Sequence, residues 1–173
     1  LAEAGWGQGF RVTLAGPNDR YVNDDRILQA IAQYWERIGV RMRVEAMPSN
    51  VFFPRSSQRA FGAAMTGWQS SAHEPNNIFA PMILTEDRAR GWGTVNRHGY
   101  TNPALDAVYA RAVVNTNRDE RIALWREATR IAMEDEAVMP IHHQVNIWAT
   151  RRGLTYRPRS DEYTLTTSLG IAQ

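Results

Sequence analysis

The first part of the chain switches between two hydrophobic periods. Residues 9–15 carry apolar side chains at every second position, which is typical of a strand. The next segment spaces its large apolar residues three or four apart, at Ile27, Ile31, Tyr34 and Ile38. This spacing predicts a helix with one buried face, and Gly39 is the residue type that ends helices. Residues 40–47 alternate again, so the sequence predicts a βαβ unit with two parallel strands.

A third strand and two loops are predicted in the middle of the chain. Residues 60–68 are small and apolar, and they end in Gly67 and Trp68. Residues 69–77 are polar and contain a proline, which is typical of a loop. Residues 85–101 are rich in glycine and arginine and are predicted to form a surface loop. Shorter helices are predicted at residues 48–58 and 78–84.

Two longer helices have clear start signals. Asn102 before Pro103 combines a favoured N-cap residue with a proline in the first turn. Asn117 with Glu120 resembles a capping box, which predicts a helix that runs to about Glu134. Two further strands and an irregular tail are predicted at residues 138–143, 146–150 and 153–173. We therefore expect one compact α/β unit.

The composition narrows the possible chemistry. None of the 173 residues is cysteine, and all twenty basic residues are arginine. Disulfides, iron–sulfur clusters, zinc–cysteine sites and catalysis by cysteine or lysine are therefore excluded. The net charge is +2 and the arginines are scattered, so we expect no nucleic-acid partner. No apolar run approaches the ~20 residues that a membrane-spanning helix needs.

The most enzyme-like residues are His142 and His143, with Glu134 and Glu136 upstream. Neighbouring residues of a strand point to opposite faces, so the two histidines cannot easily bind one metal ion. No metal-ligand spacing such as HExxH occurs either. We expect one histidine inside and one at the surface. A small α/β hydrolase or transferase that uses His142 or His143 with Glu134 remains the alternative function.

The loop after the third predicted strand is the better candidate for a ligand site. Trp68 ends this strand, and several hydrogen-bonding side chains follow it. In open α/β sheets, ligands bind beyond the carboxyl ends of the strands. A tryptophan beside polar side chains can form one wall of a small-ligand site, although it can also serve as a lid over the core.

Five collinear segments resemble motifs of a known family. They are Leu1-Ala-Glu-Ala-Gly5 with Gly9-Phe-Arg-Val-Thr-Leu14, residues 31–44, Gly67-Trp68 with Pro75 and Phe79, residues 100–106, and residues 119–141. The chain resembles the C-terminal lobe of bacterial extracellular solute-binding family 5, the dipeptide- and oligopeptide-binding proteins of ABC importers. The resemblance implies an α/β fold, a periplasmic-binding-protein-like (type II) lobe with a mixed central sheet flanked by helices.

The resemblance also implies a function without catalysis, cofactor or metal. Residues 1–173 would be the C-terminal lobe of a two-lobe protein, with residues 151–173 returning toward the N-terminal lobe. The two lobes would close on a small-molecule solute and deliver it to ABC permease subunits at the membrane. The protein would be periplasmic, or extracytoplasmic and membrane-anchored. The abrupt start at Leu1 indicates a fragment of a longer chain.

Candidate site residues follow from the same resemblance. The Gly-Trp loop, residues 67–77, would bind the ligand by stacking and hydrogen bonds, with Arg97 as an anion clamp. The ligand-binding residues implied are Trp68, Gln69, Ser70, Ser71, Asn76, Asn77, Arg97 and His143. Peptide binders of this family carry an aspartate for the ligand's α-amino group where this chain has Ser71. Because a buried ammonium without a carboxylate is poorly compensated, we hypothesise that the solute is not an ordinary free-amine peptide.

Overall fold

The computed structural model describes residues 1–70, 74–159 and 161–172. The chain forms two compact units, Leu1–Met139 and Pro140–Gln173, where the sequence predicted one. The first unit contains a sheet, helices and two apolar clusters. In the parts of the chain that are described, no helix is both long enough and apolar enough to cross a membrane.

The first unit begins with the predicted βαβ arrangement. Strand β1 (Phe10–Pro17) pairs in parallel with β2 (Val40–Met47), in a register that joins Phe10 to Val40 and Pro17 to Met47. Helix α1 (Asp24–Glu36) connects them, and Gly39 then adopts a positive φ of 93°. The alternating and helical periods of the sequence are therefore confirmed here.

The buried face of α1 differs from the predicted one. Tyr34 and Ile38 are 62% and 60% exposed, whereas Leu28 is fully buried against the sheet. Leu28 can approach this closely because β1 has a glycine at position 16, where an added Cβ would lie 2.9 Å from a Leu28 methyl group. The apolar spacing predicted the helix correctly, but the buried face is centred on Leu28, about one residue from the predicted face.

The third strand is much shorter than predicted. Strand β3 comprises Ala63–Ala64 and pairs in parallel with β1, so the sheet order is β2-β1-β3. A last bond runs from the Met65 N–H to the Ala15 carbonyl at 2.8 Å. The pairing ends there because Pro17, two positions further along β1, has no N–H to donate. Residues 66–68 therefore belong to the loop.

The helices lie close to their predicted positions. They are α2 (Ser49–Ser57), α3 (Asn76–Ile78) with a following π-helical turn (Phe79–Ile83), α4 (Pro103–Val114) and α5 (Arg118–Glu134). The side chains of Asn102 and Asn117 each accept two backbone N–H bonds at the start of α4 and α5. The capping box is incomplete, because Glu120 accepts from the Asn115 side-chain amide at 3.0 Å.

Two apolar clusters hold the first unit together. The sheet cluster consists of Leu14, Leu28 and Met65. The larger helical cluster joins the π-helical turn to α4 and α5, and its buried residues are Phe79, Met82, Ile83, Leu84, Leu105, Val108, Tyr109, Ala112, Leu124, Trp125, Ala128, Ala132 and Ala137. Trp125 lies at its centre, with ring centroids 6.1 Å from Phe79 and 5.6 Å from Tyr109.

The second unit differs from its prediction in two ways. The tail is not irregular, because β4 (Leu154–Tyr156) pairs antiparallel with β5 (Leu169–Ile171). The predicted strands at residues 138–143 and 146–150 are extended but unpaired among the described residues. A strand forms only where a neighbour supplies backbone partners, and β4 and β5 pair with each other. Val145 and Ile147 consequently remain 73% and 89% exposed.

Candidate functional site

The candidate site lies where β1 and β3 end at the carboxyl edge of the sheet. The turn after β1 carries Tyr21, and the Gly-Trp loop follows β3. The Tyr21 hydroxyl donates to the Gly67 carbonyl oxygen at 3.4 Å, and it lies 3.4 Å from the Thr66 Oγ1. Two loops that are distant in sequence therefore meet at this edge, as parallel topology predicts.

Local structure fixes Tyr21 against the loop. The buried carboxylate of Asp24 accepts the backbone N–H groups of Arg20 and Tyr21, both at 3.0 Å. On the other side, an added Cβ at Gly67 would lie 2.7 Å from the Tyr21 ring. The glycine of the Gly-Trp pair is thus required because the tyrosine ring lies against its backbone.

Trp68 is the most prominent side chain of the loop. It is 42% exposed, and it stacks on no other ring within the described ranges. Gln69 and Ser70 follow it and are exposed. Ser71, with Ala72 and His73, lies outside the described residues. The loop therefore presents an aromatic face and polar groups to solvent, as a ligand wall requires.

The far end of the Gly-Trp loop is anchored to α5. Glu74 forms an ion pair with Arg121 at 2.8 Å. Asn76 is exposed at the start of α3, whereas Asn77 is half-buried, and its Oδ1 has no hydrogen-bond partner among the described residues. A groove of about 540 Å³ lies beside this end, between Pro75 and the α5 residues Arg118, Ile122 and Trp125.

Arg97 approaches the site from the loop that precedes α4. Its Nε donates to the Ser57 Oγ at 3.3 Å, and its guanidinium lies 4.9 Å from the centre of the Phe53 ring. Burial lowers the pKa of Arg97, and the nearby Tyr21 phenol acts in the opposite direction.

The buried amide of Asn96 holds the Arg97 loop in place. Its Nδ2 donates to the carbonyl oxygens of Leu84 and Tyr100 at 2.9 and 2.7 Å. Its Oδ1 accepts the N–H groups of Gly99 and Tyr100 at 2.9 and 3.1 Å. The Asn96 amide thus donates two hydrogen bonds and accepts two, so it holds the loop that contains Arg97 in one position.

Three polar side chains, Tyr100, Asn102 and Asp135, form a hydrogen-bonded cluster next to this loop. Tyr100 donates to Asp135 at 2.8 Å, and Asn102 donates to the same oxygen at 2.6 Å. These two bonds lower the pKa of Asp135. Burial and the bond to Asp135 raise the pKa of Tyr100 to about 12. Burial and the Arg59 charge lower the pKa of His98, so that imidazole is neutral at pH 7.

The histidine prediction needs correction. His142 and His143 are both exposed, so neither is packed inside. They belong to the second unit, in an extended segment that pairs with no strand among the described residues, whereas Glu134 ends α5 and pairs with Arg130. The described ranges contain no group of three histidine, aspartate or glutamate side chains that could bind a metal ion.

The structure thus brings together only part of the predicted set. Trp68, Gln69 and Ser70 share one loop, and Tyr21 contacts the base of this loop at Gly67. Arg97 contacts Ser57 and Phe53 of α2 instead. Tyr21 was missed by the sequence analysis, although its position directly after the first predicted strand is a signal that could have found it. Asn76 and Asn77 lie beyond the anchored end of the loop, and His143 belongs to the other unit.

A family model now agrees with the predicted resemblance. The model described as "Bacterial extracellular solute-binding proteins, family 5 Middle" matches residues 1–89. Among curated proteins, the heme-binding protein A of Haemophilus influenzae is 25% identical over 153 residues. The periplasmic oligopeptide-binding protein OppA of Escherichia coli is 26% identical over 150 residues. Each match covers 84% of this chain and 26% of the relative, so this chain spans about a quarter of their length.

The comparison of folds agrees. The structure of the Escherichia coli murein tripeptide binding protein MppA matches with a TM-score of 0.79 at 20% identity, over 99% of this chain and 33% of that one. This similarity confirms the predicted fold class, an α/β lobe of the type II periplasmic-binding-protein kind. These proteins give no support to the hydrolase or transferase alternative.

Proposed function

Because this chain belongs to the bacterial extracellular solute-binding proteins of family 5, we propose that it is the solute-binding part of an ABC importer's receptor. The receptor captures a small solute and delivers it to permease subunits at the membrane. It works outside the cytoplasm, either in the periplasm or anchored to the membrane. It performs no catalysis and needs no cofactor.

The observation that carries this proposal is the aromatic and polar loop at the carboxyl edge of the sheet. Trp68 is large and partly exposed, and polar side chains accompany it. Tyr21 and Gly67 hold the base of the loop, and the Glu74–Arg121 pair holds its far end. Contacts at both ends hold the described parts of this loop in place, which reduces the entropy lost when a solute binds.

The arrangement of the complete protein is also part of the proposal. Residues 1–173 form the C-terminal lobe, residues 151–173 return toward the N-terminal lobe, and the solute binds between the two lobes. Contacts from both lobes then shift the population toward a closed state. His143, in the second unit, is a further candidate contact. Ser71 in place of an aspartate argues against ordinary peptides held by a free amino terminus.

A thermal-shift panel on the complete protein tests this function. The panel contains sugars, amino acids, peptides, N-blocked peptides and small organic anions. At a hundredfold excess over Kd a solute stabilises by about 2.7 kcal/mol, which is readily measured. We expect at least one class to raise the Tm, and Trp68→Ala to weaken that shift. A panel without any shift would refute solute binding.

Trp6→Ala is the matched control, since Trp6 is 54% exposed and precedes the opposite, amino end of β1. This variant should keep the full shift. If Trp68→Ala and Trp6→Ala behaved alike, the Gly-Trp loop would not be the binding wall. If unmodified dipeptides gave the largest shift, the inference from Ser71 would be wrong.

A further inference from the structure

The groove between Pro75 and α5, the α5 groove, carries positive charge that the described residues do not neutralise. Three arginines of α5 line it, with one described carboxylate, that of Glu74. Glu74 pairs with Arg121 at 2.8 Å. Arg118 and Arg126 are exposed, and neither has a carboxylate within 4.0 Å among the described residues. Two of the three guanidinium groups therefore lack a counter-charge.

The two unpaired arginines flank an apolar stretch of the groove. Arg118 and Arg126 belong to the same helix, and the eight positions between them correspond to about 12 Å along its axis. Ile122 and Trp125 line the groove between them. Ile122 is 36% exposed, so an apolar contact is available there. The α5 groove thus offers two cationic ends and an apolar middle.

Trp125 adds an unused hydrogen-bond donor to this groove. It lines the groove and is only 5% exposed. Its Nε1 is buried and has no hydrogen-bond partner among the described residues. An indole N–H can only donate, and a buried donor without an acceptor is unfavourable. An acceptor oxygen brought into the groove at Trp125 would offset this cost.

An extended peptide segment combines the groups that this groove lacks. Side chains alternate along such a segment, so positions 1, 3 and 5 share one face, and positions 1 and 5 lie about 13 Å apart. Carboxylates at positions 1 and 5 match the separation of Arg118 and Arg126, and guanidinium groups bind carboxylates well. An apolar side chain at position 3 reaches Ile122, and the segment's backbone carbonyls are acceptors for the Trp125 N–H.

We propose that the α5 groove is a docking surface for a partner protein, which inserts a segment with the pattern acidic-x-apolar-x-acidic. Charge complementarity at Arg118 and Arg126 selects the acidic residues, and the roughly 12 Å between them selects their spacing. This inference goes beyond the proposed function, because the solute is assigned to Trp68. The volume of the groove, about 540 Å³, is large enough for a short segment of chain.

Fluorescence anisotropy of labelled peptides on the complete protein tests the docking surface. The probe is acetyl-Glu-Ala-Leu-Ala-Glu-amide with a fluorescent label. The comparison peptide, acetyl-Glu-Ala-Leu-Glu-Ala-amide, has the same composition but turns its second carboxylate to the opposite face. We expect the probe to bind about fivefold more tightly, which is the upper range for one exposed ion pair.

Two arginine variants locate the binding. Arg118→Gln and Arg126→Gln should each weaken the probe about three- to fivefold, and the double variant about tenfold or more. The matched control is Arg130→Gln, which removes the same charge from the same helix, at a guanidinium that already pairs with Glu134. This variant should bind the probe within about twofold of the native protein.

Three results would overturn the docking surface. Equal binding of the two peptides would show attraction by charge without the proposed spacing. Binding that survives the double variant but is lost in Trp68→Ala would place the peptide at the Gly-Trp loop. No binding to the native protein would show that the groove accepts no such segment. Each of these results leaves the proposed function standing, because the thermal-shift panel tests solute binding separately.

Discussion

Two tryptophans show how the same residue type serves core and site. Trp125 is 5% exposed and lies against Phe79 and Tyr109 in the helical cluster. Trp68 is 42% exposed and has no ring neighbour among the described residues. The first ring is packed between other rings, whereas the second is partly exposed to solvent. Burial and neighbours therefore distinguish a structural aromatic residue from one available to a ligand.

The half-buried arginines repeat this contrast. Arg121 belongs to the helix that carries Trp125, and an internal carboxylate satisfies it. Arg97 lies in the loop before α4 and has no such partner among the described carboxylates. The helical region supplies Arg121 with its own partner, whereas the Gly-Trp loop leaves one aromatic face partly exposed.

Replacing each tryptophan by alanine gives the largest expected difference. Trp125→Ala removes a buried ring and leaves a cavity, which costs about 3–5 kcal/mol of unfolding free energy. Trp68→Ala removes an exposed ring and should change this free energy by about 0.5 kcal/mol or less. Urea unfolding of the two variants measures both values. Similar losses would show that Trp68 belongs to the core.

The next largest change in unfolding free energy is expected at Asn96, whose side-chain amide holds the loop that contains Arg97. Asn96→Ala leaves buried N–H and C=O groups without partners and should cost about 1–3 kcal/mol. The matched control is Asn76→Ala, since Asn76 is an exposed asparagine close to the site. It should stay within about 0.5 kcal/mol of the native protein in urea unfolding. If Asn96→Ala were equally neutral, the Arg97 loop would not depend on this residue.

The Glu74–Arg121 pair should have a smaller effect. Both side chains are partly exposed, at 40% and 31%, so water screens their attraction. A double-mutant cycle with Glu74→Gln and Arg121→Gln should give a coupling of about 0.3–1 kcal/mol. A coupling near zero would contradict the anchoring of the loop to α5.

The smallest effect is a pH dependence at Asp135. Its folded pKa lies below the unfolded value, so it stabilises the fold above about pH 4, and this contribution is lost as the pH falls through the folded pKa. Tyr100→Phe removes the strongest cause of that shift and should flatten the loss. Urea unfolding at about pH 2.5 to 5, in steps of about half a pH unit, measures this loss of unfolding free energy. An unchanged slope would exclude the Tyr100 bond as the cause.

His98 changes the stability of the fold in a separate, higher pH range. Its folded pKa is lowered from about 6.5, so the unfolded chain takes up the proton first as the pH falls below that value. Stability therefore decreases with acid here too, but before Asp135 contributes. His98→Gln should remove only this upper part of the loss. The two variants together assign each window to one residue.

Sequence patterns predicted those parts of the fold that depend on local interactions. The βαβ unit and the helix starts at Asn102 and Asn117 follow from spacing and capping, which involve neighbours in the chain. The failures concern strands, at residues 66–68 and 138–150, because a strand also needs a distant partner. The Gly-Trp loop follows the third strand as the sequence predicted, but Tyr21 reaches it through a contact 46 residues away that no local pattern contains.

A crystal structure of the complete protein with the solute that gives the largest thermal shift tests the central claim most directly. We predict that the solute lies against the Trp68 ring. A solute bound elsewhere, such as in the groove between Pro75 and Trp125, would contradict the account.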